Sequence, residues 1–143
     1  MPFWVQGWLE TSTGAVDSNT IWFPTVNISS LVDSGDEVSE ILFGLSKRCR
    51  KNKDLIEQSL FAERGLPANA SDLIKNEKSK NEKYQGECGG YTYASFEEMM
   101  HSEFDIREHK KSDWTLIFGI LKSMLDDPRF TPKNLRIIVW FNW

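Results

Sequence analysis

Few residues in this chain can move a proton or hold a metal. His101 and His109 are its two histidines, standing among Glu103, Asp105 and Glu108. Imidazoles among carboxylates can ligate a metal or act as general bases. On a helix His101 and Asp105 would share a face. Their spacing nevertheless matches no zinc motif, and a solvated connection ahead of Ser112 accounts for the same residues. The two cysteines, Cys49 and Cys88, lie far apart in unrelated surroundings. That fits neither a disulfide framework nor paired zinc ligands, so both read as free thiols. Cys49 sits in the run Lys47, Arg48, Arg50, Lys51 and Lys53, where cations favour the thiolate, and Cys88 sits among glycines, which leaves it exposed. No catalytic residue, cofactor or metal is assigned on this basis. Whether the chain is an enzyme stays open, with the balance against it.

Binding chemistry is better represented. The run from Lys47 to Lys53 is the concentrated positive stretch, and Arg64 stands in the turn-forming sequence Arg64-Gly65-Leu66-Pro67. Arg50 and Arg64 could together grip a phosphate or carboxylate, since guanidinium forks match both. The plainer reading is a solvated helix end for the run, with Arg64 tying its own loop down through backbone carbonyls. The segment Gly86-Glu87-Cys88-Gly89-Gly90 could offer amides to a phosphate. It lacks the Lys-Ser/Thr of a P-loop and the spacing of a dinucleotide fingerprint, and a glycine-rich turn explains it equally. No Gly-x-Ser-x-Gly elbow is present. Six tryptophans are unusual for 143 residues. Trp4, Trp8, Trp22 and Trp140 fall on strand faces opposite the clearest aliphatic pattern. Left uncovered, that face would stack a base or sugar or anchor a protein partner; covered by helices, it is core.

These residues need elements to position them. From Phe3 to Glu10 the sequence alternates, with Phe3, Val5 and Leu9 on one side and Trp4, Gln6, Trp8 and Glu10 on the other, the period of a strand. A second strand over Thr20–Val26 would form a hairpin with it, and Pro24 places that strand at an edge. Ser34 and Glu37 form a capping-box pattern, so a helix is expected from about Asp36 to Lys47, followed by a short one around Asp54–Phe61. Ser71 or Asn69 can cap a solvated helix running to about Tyr84, anchored through Leu73, Ile74 and Tyr84. Gln85 to Gly90 reads as a turn and Tyr91–Tyr93 as a short extended piece. Ser95 with Glu98 opens a helix through Met100. Ser112 caps a helix over Asp113–Asp126, whose stripe is Trp114, Ile117, Phe118, Leu121, Met124 and Leu125. Leu135 to Trp143 is apolar on both faces apart from Arg136 and Asn142, as befits a central strand. The expectation is an α+β fold in a single domain over residues 1–143. Its sheet is small and at least partly antiparallel, its C-terminal strand is central, and helices pack on it.

Charge and composition narrow the function classes. Seventeen Lys and Arg against 21 Asp and Glu leave a net charge of −4, whereas general nucleic-acid binding shows as a basic surplus. No apolar run approaches the roughly 18–20 residues of a membrane span, and Met1–Trp8 lacks the features of a secretion signal. A cytoplasmic protein is therefore expected. A chain of this size buries about 70% of its unfolded surface, enough for a core without disulfides or metals.

Several landmarks together resemble a family of small uncharacterised phage and bacterial proteins. They are Leu42-Phe43-Gly44 followed by Arg50, Arg64-Gly65-Leu66-Pro67 with Ser71, and the closing Arg136-Ile137-Ile138-Val139-Trp140-Phe141-Asn142. Members end in an aromatic-Phe-Asp-Asn strand. Here the last pair is Asn142-Trp143, so a role for a terminal carboxylate does not carry over. The resemblance implies a setting among phages and mobile elements, where compact acidic proteins act by binding and inhibiting. The leading expectation is thus a non-enzymatic binding protein. It would be an immunity or anti-defence inhibitor of a toxin or defence component, or a sequestering protein for a signal molecule. The rival is a module or enzyme for a phosphorylated or nucleotide-like compound, using Arg50, Arg64 and the Gly86–Gly90 segment.

Overall fold

Alternation near the N-terminus builds β1, Trp4–Thr11, which sends Val5 and Leu9 into the main core, joined by Phe3 just ahead of it. This computed structural model describes residues 2–84 and 87–143, with Tyr84 by its backbone alone. Tyr84 as an anchor and Gln85 and Gly86 of the expected turn therefore lie outside the described residues. Strand β2, Phe23–Asn27, pairs antiparallel with β1, and the register shifts between Leu9 and Glu10, beside Pro24. It is an edge strand, as Pro24 required, but it starts at Phe23, so Ile21 and Trp22 precede it. Strand β3 spans Cys88–Ser95 and β4 spans Leu135–Asn142. The sheet order is β2-β1-β4-β3, every pair antiparallel. The C-terminal strand is thus central, and both of its faces are buried. Gly7 permits the close approach of β1 to β4, because a Cβ there would stand 2.3 Å from the Ile138 carbonyl oxygen. The expected glycine turn is instead half strand: Gly89 and Gly90 belong to β3, and a Cβ on Gly90 would meet Leu45 and Phe141 at 2.9 Å.

Six helices occur among the described residues. The expected first helix is broken in two, because Gly44 at φ 65° ends α1, Glu37–Phe43, in a left-handed cap. The basic run then forms its own short helix, α2, Lys47–Lys51, capped by Ser46. Asp36, rather than Ser34, caps α1 by accepting from the Val38 N–H. Helix α3 is Lys53–Gln58 and α4 is Asp72–Tyr84. Helix α5, Phe96–His101, carries both halves of the expected Ser95–Glu98 capping box. Helix α6, Trp114–Met124, buries Trp114, Ile117, Phe118 and Leu121. The Ser112 hydroxyl accepts from the Trp114 N–H at 3.0 Å.

The two faces of the sheet are packed differently. On one, Phe3, Val5, Leu9, Leu135, Ile137, Val139 and Phe141 meet α1, α5 and α6 in the larger core. On the other, Ile138 and Trp140 pack against Ala70 and Ile74 at the start of α4, flanked by Trp8, Leu66, Tyr91 and Tyr93. Ile74 is fully buried and Leu73 is 40% exposed, so among the described residues Ile74 is the main anchor of this polar helix.

Candidate functional site

Below Ile138 the second face changes character. Glu10 and Arg136 are directly opposed on β1 and β4, and both are buried. Arg136 Nη2 approaches Glu10 Oε1 at 2.6 Å and Nε donates to the same oxygen at 2.8 Å. Arg136 Nη1 donates to Asn69 Oδ1 at 2.9 Å, and Nη2 to the Asn69 carbonyl at 3.2 Å. The Ser71 N–H donates to Glu10 Oε2 at 3.0 Å. Asn69 and Ser71, read from sequence as helix caps, thus serve this ion pair; the Ser71 hydroxyl has no hydrogen-bond partner among the described residues. Burial pushes the Arg136 guanidinium below its ordinary value, opposed by the Glu10 carboxylate. The Trp22 ring lies over the guanidinium, 3.9 Å from its carbon.

Beside this stack lies a cavity of about 220 Å³, walled by Val16, Trp22, Tyr93, Ser95 and Arg136, with Glu97, Glu98 and Lys133 completing its lining. Trp22 is 5% exposed, and its indole N–H has no acceptor among the described residues. Glu98 is committed: its Oε1 accepts from the Ser95 N–H at 3.1 Å and its Oε2 meets Arg64 Nη2 at 2.8 Å. Burial raises the Glu98 carboxyl, but the Arg64 and Ser95 bonds outweigh it, and the net shift is downward.

Arg64 straps a loop to the sheet. Its Nη1 donates to the Tyr93 carbonyl at 3.3 Å, and its guanidinium lies 4.9 Å from the Phe61 ring and 5.5 Å from the Tyr93 ring. The Gly65 N–H donates to the Tyr91 carbonyl at 2.8 Å, and the Thr92 hydroxyl donates to the Phe61 carbonyl. Positive φ at Glu63 (56°) and Gly65 (78°) makes the turn that brings this loop onto β3. Arg50, on α2, pairs with Glu63 at 2.7 Å and lies 4.8 Å from the Phe141 ring. Both arginines therefore serve the same loop, each held by a carboxylate of its own. Lys47 and Lys51 lie 6.0 and 5.7 Å from the Trp143 ring.

The tryptophans divide. Trp140 is buried, stacked on Tyr91 at 5.5 Å, and its indole N–H donates to Gln6 Oε1 at 3.0 Å. Trp8 is half-buried against the same cluster. Trp22 is closed over Arg136, while Trp4 is 56% exposed. The aromatic face is thus largely interior, with Trp4 open.

Cys49 is buried, and Cys88 is partly buried, which pushes its thiol up. His109 stacks on Phe104 at 5.3 Å with Nδ1 2.7 Å from Glu37 Oε1, and His101 is exposed. No group of three or more His, Cys, Asp or Glu able to hold a metal occurs among the described residues. Nor, among them, is any helix long and apolar enough to cross a membrane.

Sequence reasoning missed the Glu10–Arg136 pair as the organiser of this region. The signal was present: Glu10 continues the face of Trp4, Gln6 and Trp8, and Arg136 interrupts an apolar strand. A charge at such a position demands a buried partner. Comparison of the chain with protein-family models, with curated proteins and with solved structures found no match.

Proposed function

We propose that this chain acts by binding a protein partner, as an inhibitor of the immunity or anti-defence type, and that it does so through the β2 edge of the sheet. The observation that carries this is the apolar exposure there: Ile21 is 73% and Phe23 60% exposed, with Val16 at 38%. Isolated exposed apolar residues are ordinary, but large ones beside an unpaired edge strand mark an interaction surface. The opposite edge is different, since the loop from Phe61 to Gly65 covers β3. Pro24 removes one backbone donor from β2. A partner would therefore dock chiefly on side chains rather than by adding a complete strand. The net charge of −4 favours a basic partner surface through long-range attraction.

The test is a photo-crosslinking residue at position 25, an exposed position of β2, in the full chain expressed in bacteria, with and without the double substitution Ile21→Asp and Phe23→Asp. A single protein crosslinked at position 25 in stoichiometric yield, and lost when the double substitution is added while the melt is unchanged, supports the reading. A partner still crosslinked in the double variant, or no crosslink above that at an exposed control such as Lys80, overturns it.

A further inference from the structure

Helix α6 is apolar on two opposite sides. Trp114, Ile117, Phe118 and Leu121 enter the main core and are buried. The opposite face carries Thr115, Leu116, Gly119, Ile120, Ser123 and Met124, and no charge interrupts the helix from Trp114 to Leu121. This outer face is open: Leu116 is 57% exposed, and the six residues line a shallow groove of about 870 Å³. A helix that is apolar all round belongs inside a structure, so this face is built to be covered. Gly119 says the same. Glycine weakens a helix interior, and a Cβ at this position would meet nothing within 4 Å. The fold of the single chain therefore does not require a glycine there, whereas a close approach from outside does.

The order of the residues points to the occupant. The face consists of the pairs Thr115-Leu116, Gly119-Ile120 and Ser123-Met124, each a small residue followed by a large apolar one. At a spacing of four, the small residues form one stripe along the helix and the large ones a second stripe beside it. We infer that a second copy of this chain covers this face, with the two α6 helices antiparallel about a two-fold axis beside Gly119 and Ile120. Such an axis reverses the helix and keeps each stripe facing its own kind, and a pattern that survives that reversal is what an isologous interface requires. Gly119 then meets Gly119 of the second copy and Thr115 meets Ser123, so the backbones approach closely along that seam. On the other seam Ile120 meets Ile120 and Leu116 meets Met124, which buries the exposed leucine. Charge agrees with this direction. The exposed Lys110 stands ahead of α6 and the exposed Asp126 just beyond it, the reverse of what the helix dipole favours within one chain. Antiparallel packing brings each toward the opposite charge of the second copy. A helix of 11 residues is only about 16 Å long. The contact therefore falls short of the roughly 1,200 Å² of a stable complex, and the dimer forms at high concentration.

The experiment is sedimentation velocity on the full chain and its variants. The weight-average mass should climb from that of one chain toward that of two between about 10 μM and about 1 mM, the span of weak complexes. Gly119→Leu should stay monomeric over the same range and melt no lower than the wild type, because the added side chain blocks the close seam but starts into open space on the single chain. Oxidative crosslinking supplies a second measurement that does not rest on that variant. It is run in a Cys88→Ser background, since Cys88 is only partly buried. Ile120→Cys, beside the axis, should oxidise to a linked dimer. Leu116→Cys lies about 10 Å along the helix from its own mate, beyond the roughly 7 Å that a disulfide spans, and should not. A monomer at the top of the concentration range assigns the face to a different partner and overturns the inference. A dimer that survives Gly119→Leu, or Leu116→Cys linking as readily as Ile120→Cys, overturns it as well. None of these readouts depends on the β2 edge, so the two proposals fail independently.

Discussion

Replacing Arg136 by methionine keeps most of the side-chain volume and removes the guanidinium. What remains is Glu10, whose side chain is fully buried in the native protein, facing a thioether instead of a cation. Asn69 loses the donors to its side-chain oxygen and its carbonyl, and Trp22 loses the cation beneath its ring. Removing one member of a buried pair costs about 3–5 kcal/mol, because the other charge is left uncompensated. For a domain of this size each kcal/mol lowers the melting temperature by about 2–4 °C, so the variant should melt about 6–20 °C earlier. Changing Glu10 to Leu as well removes the stranded carboxylate and should recover part of the loss. Recovery would be incomplete because the Ser71 N–H then lacks its acceptor. The assay is thermal unfolding by circular dichroism of the wild type, both single variants and the double, at neutral pH. If Arg136→Met melts within about 2 °C of the wild type, the pair is dispensable and the account of this face is wrong.

Deleting residues 138–143 should abolish the cooperative melt, since β4 supplies the ladder to both β1 and β3 and buries Ile138, Val139, Trp140 and Phe141; a truncated chain melting like the parent refutes its central place. Gly7→Ala should destabilise the protein strongly, because the added carbon would meet the Ile138 carbonyl oxygen at 2.3 Å; a melting temperature unchanged within error would contradict the close approach. Asp105, held by Arg107 through side-chain and backbone hydrogen bonds, should titrate at about 2 instead of 3.8. Its folded value is depressed, so its contribution is present above the unfolded value and disappears as the pH falls through the folded one. Carboxyl ¹³C shifts read this directly, and Arg107→Ala should raise the titration only part of the way back, because the N–H of residue 107 still donates to Asp105 Oδ1.

The parts of the fold legible from sequence were those where one periodicity acts alone. The Phe3, Val5, Leu9 alternation, the stripe of α6 and the two-sided apolar run of β4 each specify an element without help from elsewhere. The Ser95–Glu98 box was equally local. Illegible were features decided by tertiary partners. One unbroken helix was expected from about Asp36 to Lys47, yet Gly44 adopts a left-handed cap and Ser46 restarts the chain as α2. Gly89 and Gly90 read as turn formers, but the pressure of Phe141 and Leu45 on a strand explains them better. Among the candidate site residues, nothing local to Arg50 and Arg64 announced Glu63 and Glu98 as their partners. Trp22 was noted for its aromatic bulk; its unmet N–H and its seat over Arg136 arise only when positions 22 and 136 meet.

The central place of β4 also sets an order of events during synthesis. Strands β1 and β2 can pair early as a hairpin, but two-stranded ribbons are marginal on their own. Among the described strands, β3 has no neighbour in the sheet except β4. Until residue 142 has left the ribosome, β1 displays Trp4, Trp8 and a charged Glu10 whose partner lies 126 positions later. From the emergence of β1 until that of β4 the nascent chain thus carries unpaired edges and exposed indoles, the state in which chaperones bind and aggregation begins. Closure of the sheet accordingly waits for β4, which alone joins β1 to β3 among the described strands.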